Sequence, residues 1–506
     1  MSTNPNHHNT LSDLIDTINN TRMEGEPEEK FNWRNQHEQQ MHPHHLEMMK
    51  KREEEHNQMI KEREDEIKNM IKKEEEKKRL SQEEIDKLRK SVTVRGLSGL
   101  DNMGNTCYMN AVVQCLSATK YFSAYVNKKK FKYDLKHNVM HEIAKKKRKD
   151  LNLDQDTCIN ISKNDLINKT KYTVTYQLHE LLIKMWEENQ IIRPAAFKHI
   201  IGNIDPKNST FRGNSQNDSQ ELLSFILDKI HEETKREVEL DYHKIPPNII
   251  LMLKMINQAK EVIENKEITL EEKEMVKLEL KSYQKKNYAD HVMAKSVLYW
   301  KDYVKKSHSV ITDIFTGIFY SNIECNTCKE QSPTFEPFTL LSVPIPEKGE
   351  TTLESCLERF SGTEMLTGDE KYKCDSCKQI SDANKKIYIW NPPEILCIQL
   401  KRFNNTGYRI MKNHSKVTFP LKDLELNQNY SEYHKCDFKY DLYGVIEHRG
   451  VFGGGHYVAY CKNAMNGKWY EYNDDDVYHI PDSNLEKEVI TQNSYILFYQ
   501  RQHKNT

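Results

Sequence analysis

At 506 residues the chain has room for about three domains, and its net charge is −1 with a pI of about 7.1. Charged residues make up 30% and hydrophobic residues 37%, with mean hydropathy −0.84, so part of the chain is expected to stay solvated or disordered. That neutral balance offers no basic field for nucleic acid. No apolar run approaches the roughly 18–20 residues of a membrane helix, and the start of the chain shows no signal pattern, so a soluble cytoplasmic chain is expected.

Residues 1–45 are polar, Asn- and His-rich and aperiodic, and read as disordered. Residues 46–92 are a charge run, with Glu64–Lys68 and Glu74–Lys78 at the helix-supporting i,i+4 spacing. Ile60, Ile67 and Met70 hint at a heptad that Glu74 breaks. This stretch reads as a solvated helix or disorder, with a coiled-coil contact to a partner protein as the alternative. The packed part, residues 93–502, begins near Val94 and reads as mainly helical to residue 235. Within it, Asp218 to Glu233 is a helix with Leu222, Leu223, Ile226, Leu227 and Ile230 as its buried stripe. Lys145 to Lys149 is a basic run, either a solvated face or a nuclear import signal. Residues 236–292 are Lys/Glu-rich and helical. From Asp313 onward strands dominate: Phe338–Pro346, Tyr388–Trp390, Ile395–Leu400, Tyr443–Ile446, Tyr457–Cys461, Trp469–Tyr472 and Tyr495–Tyr499. Helices first and strands later is an α+β order.

Cys107 is the residue on which the chemistry turns. Met109, Val112, Val113 and Leu116 predict a helix after it, and Gly104-Asn105-Thr106 predicts a turn ending in a cap before it. A thiol at that junction meets the positive end of the helix dipole, which favours the nucleophilic thiolate. His456 follows Gly453-Gly454-Gly455, and Asn473-Asp474 comes later. Cys, His and Asn or Asp form a variant of the acyl-transfer triad. The three glycines lack the Lys-Ser/Thr and helix of a phosphate loop. Asn466-Gly467 predicts a turn between the strands carrying His456 and Asn473. Pairing these two residues directly centres the hairpin between Ala464 and Met465, with Asp474 on the other face. The Asn473 carbonyl would then accept the imidazole Nδ1–H. Cys325-Asn-Thr-Cys328 and Cys374-Asp-Ser-Cys377 supply four thiolates, a set suited to a closed structural zinc site; thiols without metal are the alternative.

The run from Gly99 to Asn110 resembles the Cys box of the ubiquitin-specific protease family. Leu442-Tyr443-Gly444-Val445, Gly453 to Tyr457, Lys468-Trp469-Tyr470 and Asn473-Asp474 resemble its His box, and Gln216 to Leu223 matches a third family segment. The likeness runs from about Gly96 to Arg501, with 236–292 as an insertion. It implies a papain-like catalytic domain: a helical thumb with the Cys, a β palm with the His, and β-rich zinc-bearing fingers over about 315–400. The implied activity is a deubiquitinating isopeptidase acting on ubiquitin and ubiquitinated proteins. Cys107 would be nucleophile, His456 base and acid, and Asn473 would orient the ring with Asp474 as helper. The resemblance places Asn102 in the oxyanion hole, and Gln216, Asp218 and Glu221 beside the substrate tail. Paired knuckles in the family's fingers support zinc at Cys325, Cys328, Cys374 and Cys377. Plainer readings are a turn cap for Asn102 and helix-dipole compensation for Asp218. For the whole chain the rivals are a silent ubiquitin-binding scaffold and a protease for a ubiquitin-like modifier.

Overall fold

The computed structural model describes residues 94–127, 131–205, 210–239, 245–347, 349–405, 410–451 and 453–503. The expectations for residues 1–45 and 46–92 lie outside these residues.

Helices come first. α1 (Cys107–Ala118) is buried from Cys107 through Ser117, so it runs through the interior rather than over it. Around it pack α2 (Lys120–Asn127), α4 (Val174–Glu187), α5 (Ala195–Asn203) and α6 (Ser219–Thr234), while α3 (Phe131–Asp150) packs outside them against α6 with its own small core. The α6 stripe of Leu222, Leu223, Ile226, Leu227 and Ile230 is fully buried. The end of α6 also caps α4, since the Glu233 carboxylate accepts hydrogen bonds from Val174 N, Thr175 N and Thr175 Oγ1 at 2.6–2.9 Å. Next come α7 (Pro247–Glu264), α8 (Leu270–Lys286) and α9 (Tyr288–Ser307). A reciprocal capping box between Thr269 and Glu272 starts α8.

The strands form two main sheets. The fingers sheet has the order β2-β1-β5-β4, from β1 (Gly317–Cys325), β2 (Gln331–Phe338), β4 (Glu364–Leu366) and β5 (Ala383–Asn391). The palm sheet is built on β3 (Leu341–Pro344), β6 (Ile395–Lys401), β7 (Lys439–Val451), β8 (Gly454–Lys462), β9 (Trp469–Asn473), β10 (Asp476–Ile480) and β11 (Ser494–Arg501). Its order is β10-β9-β8-β7-β11-β6-β3, with Leu424–Glu425 added beside β7. The architecture is the α+β, papain-like thumb, palm and fingers. Two stretches of the expected 315–400 fingers lie in the palm sheet instead, Leu341–Pro344 and Ile395–Lys401. The stretch Phe338–Pro346 is not one strand: β2 ends at Phe338, and β3 begins at Leu341 in the palm, parallel to β6. A segment leaving one sheet for another must break its ladder where it crosses.

The palm buries both faces. Tyr457, Ala459, Cys461, Tyr470 and Tyr472 face the thumb helices, whereas Val458, Tyr460 and Trp469 join a second core with Leu353 and Leu357. This is the period-2 alternation of a sheet covered on both sides. α9 lies on the fingers, where Val292 joins Ile318, Tyr320, Phe335 and Trp390 in a small aromatic-rich core. No helix among the described residues is long and apolar enough to cross a membrane.

Candidate active site

Cys107 is the first residue of α1 and is buried. The preceding turn is fastened differently from a side-chain cap. Thr106 makes no cap bond; its Oγ1 accepts from Met103 N at 2.9 Å. Asn102 does the fastening, its Oδ1 accepting from Gly104 N at 3.1 Å and Thr106 N at 3.0 Å.

His456, on β8, brings its imidazole close enough to Cys107 for the thiol to raise the ring's pKa. Its Nε2 lies 2.6 Å from Asn473 Oδ1, which leaves Nδ1 for the sulfur. The ring is therefore turned end for end relative to the expected Nδ1–Asn473 bond. Burial pulls the imidazole pKa down. The Cys107 side chain, the bond to Asn473 and the nearby Asp474 carboxylate outweigh it, raising the value to about 9.

The hairpin register is also shifted from the expected one. Ala459 pairs with Tyr472 and Lys462 with Trp469, so the ladder is offset by two residues. Extending it puts Val458, not His456, opposite Asn473. The physical reason is the turn: Asn463 N bonds Lys468 O, so the connection takes all of Ala464 to Gly467. A shift of two preserves the face, and His456 reaches Asn473 diagonally.

Asp474 does not continue the strand to the opposite face. It enters the left-handed region with φ 53°, at the turn between β9 and β10. Its carboxylate stands 3.9 Å from His456 Nε2 but bonds elsewhere. Oδ2 accepts from Asn102 Nδ2 at 2.8 Å and Oδ1 from Asn110 Nδ2 at 2.8 Å. Asp474 also accepts Leu100 N at its backbone oxygen, at 2.7 Å. The thumb and palm touch closely here: a Cβ on Gly99 would sit 2.0 Å from the Asp475 carbonyl oxygen. Asn110 is a residue the sequence reading missed. An amide within the largely apolar run of α1, one turn after Cys107, was the available signal.

Gln216 is committed to Gly455, donating to its carbonyl and accepting its N–H, both at 3.0 Å. Asp218 caps α6 through Gln220 N at 2.7 Å and receives the Tyr495 hydroxyl at 2.8–2.9 Å. Burial raises its carboxyl pKa despite these bonds. Glu221, one turn on, is exposed, and burial and the Asp218 charge raise its pKa.

In the fingers, Cys325, Cys328, Cys374 and Cys377 bring their sulfurs within 4.8 Å of one another. Cys325–Cys377 and Cys328–Cys374 are 3.9 and 3.6 Å apart. A tetrahedron with Zn–S bonds of about 2.3 Å has edges of about 3.8 Å, so the set fits a metal of that size. The two knuckles are built alike. Cys325 N bonds Glu330 O and Cys374 N bonds Gln379 O, at 3.0 and 2.9 Å. Lys329 and Lys378, each just after the second cysteine, both take positive φ. α8 reaches these tips, with Lys281 Nζ 2.7 Å from Ser376 Oγ and 3.6 Å from Glu330.

The basic run Lys145–Lys149 ends α3. Lys147 pairs with Asp165 at 3.2 Å, and Arg148 Nε donates to Thr157 O at 2.9 Å.

An amide, an imidazole and a thiol in line, at the seam of a papain-like fold, make a cysteine-hydrolase-like site. The sequence profile described as ubiquitin carboxyl-terminal hydrolase matches residues 98–499, and the chain belongs to that family. Bovine ubiquitin carboxyl-terminal hydrolase 2 is 30% identical over 81% of this chain and 56% of its own length. The chicken protein of that name is 31% identical over 81% of this chain and 95% of its own. A probable ubiquitin carboxyl-terminal hydrolase, R319, of Acanthamoeba polyphaga mimivirus is 29% identical over 81% and 91%. The chain thus spans little more than half the length of the bovine relative but nearly all of the chicken one. Among solved structures, the SAGA Ubp8/Sgf11/Sus1/Sgf73 DUB module bound to ubiquitin aldehyde has a chain of the same fold. Its TM-score is 0.51 at 24% identity, covering 82% of this chain and 72% of that one.

Proposed function

We propose that the chain is a deubiquitinating thiol isopeptidase, hydrolysing the bond after the C-terminal glycine of ubiquitin on proteins or in chains. The observation that carries this reading is the line of contacts from Cys107 through His456 to Asn473 in a chain of this family.

In this reading Cys107, its proton passed to His456, attacks as thiolate the carbonyl carbon of the Gly–Lys isopeptide bond, forming a C–S bond as the C=O electron pair moves to oxygen. His456 keeps its proton at neutral pH, since its pKa stands near 9. It gives that proton to the leaving lysine nitrogen as the C–N bond breaks. Water then attacks the acyl-enzyme, His456 takes its proton, and the C–S bond breaks to release the carboxylate. Asn473 fixes the ring with Nδ1 toward the sulfur. Asn102 spends its carbonyl on the turn and one N–H on Asp474. An amide nitrogen carries a second hydrogen, and that one serves the oxyanion. Asp218 is engaged with Tyr495 and Gln220, so exposed Glu221 is the better placed carboxylate for ubiquitin's basic tail.

We assign zinc to Cys325, Cys328, Cys374 and Cys377. Bound there, it would cross-link the two knuckles and take no part in hydrolysis. We place the protein in the cytoplasm. The helical geometry of Lys145–Lys149, with Lys147 and Arg148 engaged, favours a solvated face over an import signal.

Stoichiometric labelling of Cys107 by ubiquitin bearing a C-terminal electrophile tests the reading. Ubiquitin binding without labelling would make the chain a silent scaffold. Faster turnover of a ubiquitin-like modifier than of ubiquitin, side by side, would reassign its substrate.

A further inference from the structure

Cys107 and His456 ride on different bodies, α1 of the thumb and β8 of the palm. Their separation depends on what crosses the seam beside them. The loop at residues 214–217 touches both. On the thumb side, Asn105 Nδ2 donates to Asn214 O at 2.8 Å, and Asn217 Nδ2 donates to the Tyr108 hydroxyl at 3.2 Å. On the palm side, Gln216 meets Gly455, the residue before His456, through both ends of its amide at 3.0 Å.

We propose that Gln216 is a positioning residue that holds His456 in register with Cys107. The inference rests on the reading of those two residues as base and nucleophile.

The need for such a clamp follows from the glycines. Gly455 must lack a side chain: a Cβ there would meet His448 Nε2 at 2.2 Å and Arg449 O at 2.5 Å. Gly450 and Gly453, on either side of the bend, have φ of +98° and +74°. A stretch without side chains has no anchor of its own, so besides the His448 ring packed against it, it is held by what bonds its backbone. Gly455 pairs with Gly450 of β7, yet its N–H and C=O both go to Gln216. The Gln216 amide thus acts as a one-residue strand partner. Losing it frees the backbone at the base of the imidazole, and a displacement of about 1 Å at a reacting group can cost on the order of a hundredfold. Charged or titratable neighbours of His456 are Cys107 on α1, Asp474 at the β9–β10 turn and His448 on β7. None lies on the 214–217 loop, so replacing Gln216 by an uncharged residue leaves the local charge unchanged.

The test uses the full chain and Gln216→Met, which keeps the length and loses both hydrogen bonds. Two readouts are taken: kcat and KM on a fluorogenic ubiquitin reporter, and the pH–rate profile for alkylation of Cys107 by iodoacetamide. Expected are a fall in kcat of about tenfold or more with KM within about twofold, and a shift of the alkylation profile, with melting temperature little changed. A raised KM with an unaltered alkylation profile would make Gln216 a substrate contact and overturn the proposal, as would no change in either readout. If Gln216→Met fails to fold, Gln216→Ala is judged by the same split. Should the unmodified chain leave the reporter intact while its alkylation profile responds to Gln216→Met, the isopeptidase reading fails and the positioning role stands.

Discussion

The thumb–palm seam and the fingers are held by different forces. At the seam, α1 and the thumb-facing palm residues share one large core, and a few hydrogen bonds then set the distances that matter: Asp474 to Asn102 and Asn110, Gln216 twice to Gly455, Asn473 to His456. In the fingers the buried core is small, Val292, Ile318, Tyr320, Phe335 and Trp390, and the tip carries four thiols instead of apolar side chains. A narrow projecting sheet buries too little area to hold its own tip. A reaction site must be held to fractions of an ångström, which directional bonds on a rigid core provide.

The contrast predicts that seam changes act on rate and fingers changes act on stability. The largest effect is expected for Cys107→Ser: turnover falls by at least about a thousandfold while ubiquitin binding persists. Reporter hydrolysis and a binding titration check this, and a serine variant within tenfold of the parent would remove Cys107 from the mechanism. Next, Asn473→Ala is expected to cost about a hundredfold in kcat, with Asn473→Asp remaining active. Asp474→Ala should cost less rate but more stability, about 2–3 kcal/mol, because its partly buried carboxylate receives two charge-assisted hydrogen bonds. Kinetics and denaturant unfolding on the same variants separate the two. The reverse order of rate effects would exchange the roles of Asn473 and Asp474.

Metal removal should break the other side of the comparison. Chelation, or Cys374→Ser, is expected to raise amide exchange across residues 317–391 while Cys107 alkylation stays within about twofold of the parent. Loss of alkylation in step with the fingers would mean that the two regions are not energetically separate.

The pH dependence is milder and two-sided. The pKa of His456 is raised to about 9, so its contribution to activity and stability is complete below about 6.5 and is lost as pH rises through 9. A descending limb of kcat/KM near pH 9 is expected. His448 is lowered to about 3, chiefly by burial. The unfolded chain binds that proton more readily between about 6.5 and 3, so stability should fall as pH drops through that window. Urea midpoints across pH check the sign. Smallest of all, Lys281→Ala removes exposed contacts to Ser376 and Glu330 and should shift stability by about 0.5 kcal/mol or less.

Much of the fold was legible because its signals are local. Apolar spacing gave α1 and α6, and the Cys-x-x-Cys pairs named the four thiols, since the helix period is fixed by backbone geometry alone. The flanking residues of Cys107, His456 and Asn473 identified the family for the same reason. What the sequence could not decide were relations between distant segments. The two-residue register offset came from a turn that uses Ala464 to Gly467, and the ring orientation of His456 came from which nitrogen met Asn473. The departure of Leu341–Pro344 from fingers to palm depended on pairing with β6. Gln216 and Gly455 lie 239 residues apart, and Asn110 and Asp474 lie 364 apart. Neither contact leaves a periodic trace in the chain, because a side chain's hydrogen-bond partner is chosen by packing in three dimensions, after the local elements have formed.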